Sequence, residues 1–204
     1  NVLFELAVIL KKIYPFVDLD YPDLSVKKPN KSNVPKIPVY RENSEKIYVP
    51  RFFGETKYGV PDKSKLSDGD PIDVPFTQSL RDYQTKTVKL YLDHVTNHSN
   101  GGGGILQLPC GFGKTICALY ISSQIKTKTI ILVHKEFLMN QWIERIRDFL
   151  PTARVGIIQA GKFEIENKDI VIGMIQTLYS RDYPMNTFSS FALTVIDEVH
   201  RIGS

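Results

Sequence analysis

The chain has 204 residues, of which 42% are hydrophobic and 24% charged, an ordinary balance for a globular protein with one domain and a smaller appendage. Its net charge of +4 permits a nucleic-acid partner but does not by itself indicate one. With only two cysteines and no uninterrupted apolar run of membrane-spanning length, the sequence argues against a disulfide framework and a membrane partner. We therefore expect a reducing intracellular compartment, the cytoplasm or the nucleus.

Residues 1–75 are predicted to form a small, proline-rich, β-containing region, and residues 76–204 a second domain. Nine of the twelve prolines lie in the first part, where they disfavour long helices and central strands because proline lacks a backbone donor and has a fixed φ. One short amphipathic helix is nevertheless predicted over residues 1–13, with an apolar side formed by Leu3, Leu6 and Leu10.

A β-hairpin is predicted from two strand-like runs, residues 37–40 and 46–49, which are joined by a polar turn. Aromatic and basic side chains are intermixed through residues 40–58. Such a mixture either stacks on bases and pairs with phosphates, or forms a small core whose basic groups face solvent. The second interpretation is favoured. The polar run at residues 63–73 is interpreted as a surface linker.

A helix that ends near His94 is predicted next, and Gln84 lies at its start. A glutamine amide has one acceptor and two donors, which match the N6 amine and N7 of adenine. Gln84 is therefore a candidate for adenine recognition, with Arg81 or Phe76 packed near the base. A glycine-rich loop follows and leads into the next strand.

Residues 105–125 predict a strand, a glycine turn and a helix, the order found in a phosphate-binding loop. The glycines let successive N–H groups converge on phosphate oxygens, and the helix N-terminus adds partial positive charge. Lys114 is expected to reach the β- and γ-phosphates, and the Thr115 hydroxyl to help hold Mg²⁺. Leu108 replaces the first glycine of the usual G-x-x-x-x-G-K-[ST] pattern. The predicted nucleotide-binding residues of the loop are Pro109, Cys110, Gly111, Phe112, Gly113, Lys114 and Thr115.

Beyond this loop, strands and helices alternate, which predicts an α/β fold with a parallel sheet. Strands are expected at residues 129–133, 155–158, 170–172 and 191–196, and helical segments at 136–150 and 174–179. The last strand leads into Asp197 and Glu198, where parallel sheets place their ligands. Asp197 is expected to bind Mg²⁺, and Glu198 to orient and deprotonate the water that attacks the γ-phosphate. His200 would sense both the nucleotide and whatever lies across the cleft.

These motifs, taken in order, resemble those of superfamily 2 helicases of the DExH type. The resemblance covers about residues 76–203. Residues 108–115 are similar to motif I, and the Asp-Glu-Val-His of residues 197–200 to motif II. The Leu-Arg-Asp-Tyr-Gln of residues 80–84 is similar to the L-R-x-Y-Q adenine motif of the XPB-like branch. Residues 131–142 resemble motif Ia, and residues 173–177 the motif that follows it.

Within that branch, the Tyr-Arg-Glu of residues 40–42 and the run at 47–54 resemble the viral members, the transcript-release helicases of large DNA viruses. This likeness adds the transcription machinery as an expected partner and the virion as a further location. The branch also accounts for Leu108, because its members often lack the first glycine of the loop.

The resemblance implies that residues 76–204 are a truncated first RecA-like domain that binds ATP and Mg²⁺. Lys135 and Thr177 would contact the backbone of DNA or RNA, and His200 would couple the two sites. A second RecA-like domain, which carries the arginine fingers, would follow Ser204. The chain starts without Met, and we expect it to be an N-terminal fragment with very little ATPase activity of its own.

Two other functions remain open at this point. A DNA translocase of a restriction or remodelling complex would carry all the same motifs and differ in the sequence downstream. A non-catalytic nucleic-acid-binding scaffold would carry a degenerate site, against which the intact Lys114, Thr115, Asp197 and Glu198 argue.

Overall fold

The computed structural model describes residues 3–10, 25–26, 37–38, 40–63, 67–96, 102–184 and 186–199, with the backbone alone for residues 3–10, 25–26, 37–38 and 51–52. The chain divides into two compact units, which are described separately. The larger unit comprises Asn1–Lys11 and Ser67–Ser204, and the smaller comprises Lys12–Leu66.

The smaller unit contains two short antiparallel strand pairs and one helix. Strands β2 (Ser25–Val26) and β3 (Ile37–Pro38) form the first pair, and β4 (Arg41–Glu42) and β5 (Ile47–Tyr48) form the second. The second pair forms a hairpin in the predicted region, but its first strand is Arg41–Glu42 and not residues 37–40, because Ile37–Pro38 pairs with Ser25–Val26. Its turn is closed by Asn43, whose side-chain oxygen accepts hydrogen bonds from the backbone N–H groups of Glu45 and Lys46 at 3.0 and 2.8 Å.

Helix α1 (Arg51–Tyr58) follows the hairpin and was not predicted from the sequence. Pro50 precedes its first residue, a position that proline tolerates because the first N–H groups of a helix have no intrahelical partner. Gly59 ends the helix with a φ of 87°. A proline and a glycine therefore bound a helix of eight residues in this proline-rich region.

The larger unit is an α/β fold with a seven-stranded sheet. Its strands are β1 (Leu3–Leu10), β6 (Gly103–Pro109), β7 (Thr129–Val133), β8 (Val155–Gln159), β9 (Lys162–Phe163), β10 (Ile170–Met174) and β11 (Leu193–Asp197). Its helices are α2 (Asp82–Thr96), α3 (Lys114–Ile125), α4 (Glu136–Phe149) and α5 (Ile175–Tyr179). The strand order is β6, β1, β11, β7, β10, β8, β9. The parallel pairing of β11, β7, β10 and β8 confirms the predicted parallel sheet.

The two faces of the sheet bury different cores because side chains alternate along each strand. In β7, Ile131 belongs to the core shared with helices α3 and α4, which includes Leu119 and Trp142. The neighbouring Ile130 points to the other face and packs in a smaller cluster around Phe191. Among the described residues, no helix is both long and apolar enough to cross a membrane.

The helix predicted over residues 1–13 is wrong, because Leu3–Leu10 forms strand β1. This strand pairs antiparallel with both β6 and β11, and thereby fills the space between them. Its sequence, Leu-Phe-Glu-Leu-Ala-Val-Ile-Leu, is nearly all apolar, as is typical of a central strand covered on both faces. An apolar run of this length fits either a helix or a buried strand, and here pairing with distant strands decides.

Residues 70–74, which the sequence analysis placed in a linker and an accessory region, pack with the larger unit. The backbone N–H of Ile72 donates to the carbonyl of Lys126 at 2.9 Å, and the N–H of Lys128 donates to the carbonyl of Asp70 at 2.8 Å. The side chains of Ile72 and Val74 are buried in the core shared with α3 and α4, here called the helix-side core. The larger unit therefore begins before residue 76, because two apolar side chains and a backbone ladder hold the preceding segment.

A buried carboxylate joins the turn after α4 to the start of β10. Asp169 accepts three hydrogen bonds from Arg154: from its backbone N–H at 2.8 Å, from Nε at 3.0 Å and from Nη2 at 2.6 Å. These hydrogen bonds lower the pKa of Asp169 from its ordinary value of 3.8, and the charge of Arg154 acts in the same direction. The pair fixes the entry into β10, which lies in the middle of the sheet.

We expect Asp169→Asn to lower the free energy of unfolding by about 1–3 kcal/mol at neutral pH, because hydrogen bonds to a charged acceptor are lost. A carboxyl whose folded pKa lies below its unfolded pKa stabilises the fold above the unfolded pKa and loses that effect as the pH falls through the folded pKa. The difference between wild type and variant should therefore narrow below about pH 4 in urea unfolding.

The matched control is Asp73→Asn. The Asp73 carboxylate pairs with Lys126 at 3.1 Å, but both side chains are largely exposed, so little change is expected. An equal loss of stability in the two variants would contradict the role given to the Arg154–Asp169 pair.

Candidate nucleotide site

The turn between β6 and α3 has the backbone of a phosphate-binding loop. Gly111 and Gly113 have φ values of 80° and 76°, in the left-handed region that favours glycine. Gly113 is also the residue that caps the first turn of α3, which begins at Lys114. The N–H groups at the start of α3 therefore point toward the loop, where an anion would interact favourably with the helix dipole.

Gly113 is needed for space as well as for its backbone conformation. A Cβ atom at this position would lie 2.4 Å from Nε2 of Gln84. A Cβ at Gly111, by contrast, would meet nothing within 4 Å, so only its φ requires glycine. Glycine is thus required at position 111 for its backbone conformation alone. At position 113 it is required also because the absence of a side chain lets α2 approach the loop.

Gln84 supports the phosphate loop in this structure. Its side chain is 3% exposed, and Nε2 donates to the carbonyl of Phe112 at 3.0 Å. Its Oε1 accepts the backbone N–H of Arg81 at 2.9 Å. One donor and the acceptor of the amide are therefore engaged with the backbone. Recognition of adenine by Gln84 stays a prediction.

An aromatic contact joins Phe112 of this loop to Tyr83 of α2, and this pairing was not predicted from the sequence. The rings of Tyr83 and Phe112 are 4.9 Å apart, and Nη1 of Arg81 donates to the Tyr83 hydroxyl at 3.0 Å. The only signal in the sequence was a tyrosine one position before Gln84. Phe76, in contrast, is half-buried and packs against Tyr120 and Phe149 at the margin of the core.

Lys114 lies at the first position of α3, and its Nζ donates to the carbonyl of Leu108 at 3.3 Å. This bond brings the ammonium group back over the loop, close to the end of β6. Thr115 follows in the same first turn and is half-buried. Pro109 and Cys110 are exposed at the start of the loop.

Asp197 ends β11 with its side chain 8% exposed. Its Oδ2 accepts a hydrogen bond from the indole Nε1 of Trp142 at 2.8 Å. Burial raises the pKa of this carboxyl, and four groups oppose the rise: the Trp142 indole, the backbone N–H of Glu198, and the charges of Lys114 and His134. The carboxylate and the loop lysine are thus close enough to interact electrostatically.

Glu198 adopts a left-handed backbone conformation, with a φ of 56°. This conformation costs free energy for a residue with a side chain, and such strain is concentrated at functional sites. The side chain is half-buried directly after Asp197. The structure therefore places the predicted general base in a strained turn beside the predicted metal ligand. His200 lies outside the described residues.

The oxygen donors at this site fit Mg²⁺. A carboxylate from Asp197 and a hydroxyl from Thr115 are the hard oxygen ligands that this ion accepts, with water and phosphate oxygens completing its shell. Strand β6, which leads into the loop before Thr115, and strand β11, which ends at Asp197, are separated by β1 alone, a span of about 10 Å. That span leaves room between the loop and the carboxylate for a phosphate group.

The two predicted nucleic-acid contacts lie at the ends of neighbouring strands, β7 and β10. Lys135 precedes the first residue of α4 and is exposed, with its Nζ 5.7 Å from the centre of the Phe137 ring. Thr177 lies in α5, where its Oγ1 accepts the backbone N–H of Ala160 at 3.3 Å. Gln176 ties the two segments together, since its Nε2 donates to the carbonyl of His134 at 2.9 Å.

The contact between Trp142 and Asp197 was not predicted from the sequence. Trp142 lies in α4, 1% exposed, and the periodicity of that helix explains its burial but not its partner. The available signal was the Gln-Trp pair of residues 141–142, which had been matched to motif Ia without any role for the indole.

Comparisons with known proteins agree with these features. The family model described as "Type III restriction enzyme, res subunit" matches residues 77–204. The chain is 37% identical over 169 residues to L396 of Acanthamoeba polyphaga mimivirus, named as an ATP-dependent RNA helicase, which covers 82% of this chain and 32% of that protein. It is also 37% identical over 125 residues to the "DNA 3'-5' translocase XPB2" of Sulfurisphaera tokodaii, which covers 61% of this chain and 26% of that protein.

A solved structure, the SWI2/SNF2 ATPase core of Sulfolobus solfataricus in complex with dsDNA, matches 57% of this chain and 25% of that chain, with a TM-score of 0.42 and 19% identity. The chain spans about a third or less of the length of the curated relatives described above. The resemblance to the XPB-like branch and to viral helicases is confirmed by these relatives. Because the family model matches well over half of the residues, the chain belongs to the Type III restriction enzyme res subunit family.

Proposed function

We propose that this chain is the ATP-binding part of an ATP-dependent nucleic-acid helicase or translocase. The observation that carries the proposal is the phosphate loop and the Asp197–Glu198 pair, set one strand apart at the same end of one sheet. A loop of this kind binds phosphates, and the paired carboxylates supply what hydrolysis needs. The family relationship and the relatives named as helicases and translocases support the same function.

In this proposal the loop binds the nucleotide first. Backbone N–H groups in the first turn of α3 donate to phosphate oxygens, and Lys114 exchanges its bond to the Leu108 carbonyl for the β- and γ-phosphates. Gln84 holds the loop through Phe112 and retains one donor hydrogen for the adenine. Arg81 and the ring of Phe112 lie beside it as further contacts for the base.

Hydrolysis is assigned to the carboxylates at the end of β11. Thr115 and Asp197 would hold Mg²⁺, which when bound neutralises charge on the phosphates. Glu198 accepts a proton from the attacking water and orients it toward the γ-phosphate. We further propose that a second RecA-like domain, downstream in the whole protein, supplies arginine side chains, so that this chain alone hydrolyses ATP very slowly.

The partner is proposed to be the backbone of DNA or RNA, gripped by Lys135, Thr177 and nearby N–H groups. The exposed free thiol of Cys110 in the phosphate loop supports a reducing intracellular location. A role in transcript release is proposed on the viral resemblance. A translocase of a restriction complex is the second candidate, favoured by the name of the matching family, and the sequence downstream of residue 204 would distinguish the two.

Lys114→Ala should weaken the binding of a fluorescent ATP analogue to this chain by about tenfold or more, because charge-assisted hydrogen bonds to phosphate are lost. Fluorescence titration in the presence of Mg²⁺ measures the effect. Lys86→Ala is the control, since Lys86 is an exposed lysine of α2. Equal affinity of the two variants would show that the loop is not the nucleotide site.

Glu198→Gln in the whole protein should retain ATP binding and lose turnover by about a hundredfold or more, because an amide cannot accept the proton of the attacking water. Phosphate release and nucleotide affinity are measured on the same sample. Glu136→Gln, at an exposed position in the first turn of α4, should leave both unchanged. Normal hydrolysis by Glu198→Gln would refute the assignment of the general base.

The logarithm of the association constant for a labelled oligonucleotide should fall linearly with the logarithm of salt concentration. Lys135→Ala should reduce the magnitude of that slope by about one unit. The slope falls because the variant makes one fewer phosphate contact and therefore releases one fewer counterion. Fluorescence anisotropy at several salt concentrations gives both values. Lys89→Ala, an exposed lysine of α2, should leave the slope unchanged. The same slope in wild type and Lys135→Ala would contradict the proposed contact.

A further inference from the structure

The single tryptophan of the chain has an unusual partner. Trp142 lies in the middle of α4 and is 1% exposed, and its indole N–H donates to Oδ2 of Asp197 at 2.8 Å. The acceptor is the carboxylate to which the proposed function gives the Mg²⁺ contact. Nothing in that function, as stated above, uses the indole.

We propose that Trp142 is a positioning residue that fixes the orientation of the Asp197 carboxylate for Mg²⁺. This inference rests on the proposed function, because it concerns the same site. Groups that hydrogen-bond to a metal ligand set its orientation and tune its affinity for the ion. Loss of such a group commonly lowers the affinity of the site for the metal by about tenfold or more. Trp142 would act through Asp197 and would touch neither nucleotide nor metal.

The chemistry of the two side chains makes their pairing specific. An indole N–H is a donor only, and when buried it needs an acceptor. A carboxylate is the strongest acceptor among side chains, so the bond is charge-assisted. The bond also consumes one of the oxygen lone pairs of Asp197 and therefore limits rotation of the carboxylate about its own axis.

The packing around Trp142 makes the donor rigid. The side chain belongs to the helix-side core, together with Leu119, Ile131 and Met139, each 1% exposed. A close-packed ring cannot change rotamer without moving its neighbours. Packing alone would be satisfied by a phenylalanine, whereas the hydrogen bond requires the indole nitrogen. The choice of tryptophan is thus explained by Asp197 and not by the core.

The test is Trp142→Phe in this chain, which keeps an aromatic ring and removes the donor. Binding of a fluorescent ATP analogue is titrated in EDTA, and the complex is then titrated with Mg²⁺. We expect the apparent affinity for Mg²⁺ to fall about tenfold while the affinity for the analogue in EDTA stays within about twofold of wild type. A merely structural role would change both affinities together or neither.

Met139→Leu is the matched control, because it alters the same core on the same helix by a change that conserves volume. It should leave both affinities unchanged. An Mg²⁺ dependence of Trp142→Phe equal to that of wild type would overturn the proposal, and so would a parallel loss in EDTA. Loss of all nucleotide binding by the wild-type chain would instead refute the proposed function, so the two failures are distinguishable.

A second measurement needs no substitution at Trp142. Because the chain has one tryptophan, its emission on excitation at the red edge of its absorption comes from Trp142 and reports the surroundings of that indole. Adding Mg²⁺ to the complex with a non-hydrolysable ATP analogue should shift the emission of the wild-type chain, and Asp197→Ala should abolish the shift. Emission that does not respond to Mg²⁺ in the wild-type complex would overturn the proposal even if Trp142→Phe failed to fold.

Discussion

A carboxylate that is buried at the end of a strand must be surrounded by donors and positive charge, or burial favours its protonated form. At Asp197 burial raises the pKa, and groups from several elements oppose that rise: an indole N–H of α4, the backbone N–H of Glu198 and the charges of Lys114 and His134. The arrangement works only if α3, α4, β7 and β11 are correctly packed. The surroundings of one buried carboxylate therefore depend on the packing of the core beneath this end of the sheet.

Helix α4 connects the proposed nucleic-acid contact at Lys135 with the carboxylate of Asp197. It begins beside Lys135, at the proposed nucleic-acid contact, and two turns later it carries Trp142 to Asp197. The Gln176–His134 hydrogen bond attaches α5 to the residue before Lys135. If both proposed contacts hold, this rigid helix is a physical route by which a change at the nucleic acid would alter the orientation of the proposed metal ligand.

Motifs made of neighbouring residues could be predicted from the sequence, whereas contacts between residues far apart in the chain could not. The phosphate loop could be predicted because the glycines, Lys114 and Thr115 lie within a few residues of one another, and their backbone demands are local. The amide of Gln84 suited adenine, yet its contact with Phe112 comes from packing of α2 on the loop. Residues 136–150 were predicted as a helix, but the acceptor of its Trp142 indole, Asp197, lies 55 residues further along the chain. The strand at Leu3–Leu10 was predicted as a helix because its periodicity is ambiguous and both pairing partners are distant.

The position of β1 has a consequence for how this domain is made. In the finished sheet Leu6 lies opposite Asp197, so nearly the whole chain separates the two paired residues. During synthesis, β1 leaves the ribosome before the other strands of this sheet and cannot complete its pairing until β11 has emerged. Contacts of such high sequence separation slow folding and leave apolar strands exposed meanwhile. Nascent chains of this domain should accordingly depend on chaperones that shield β1.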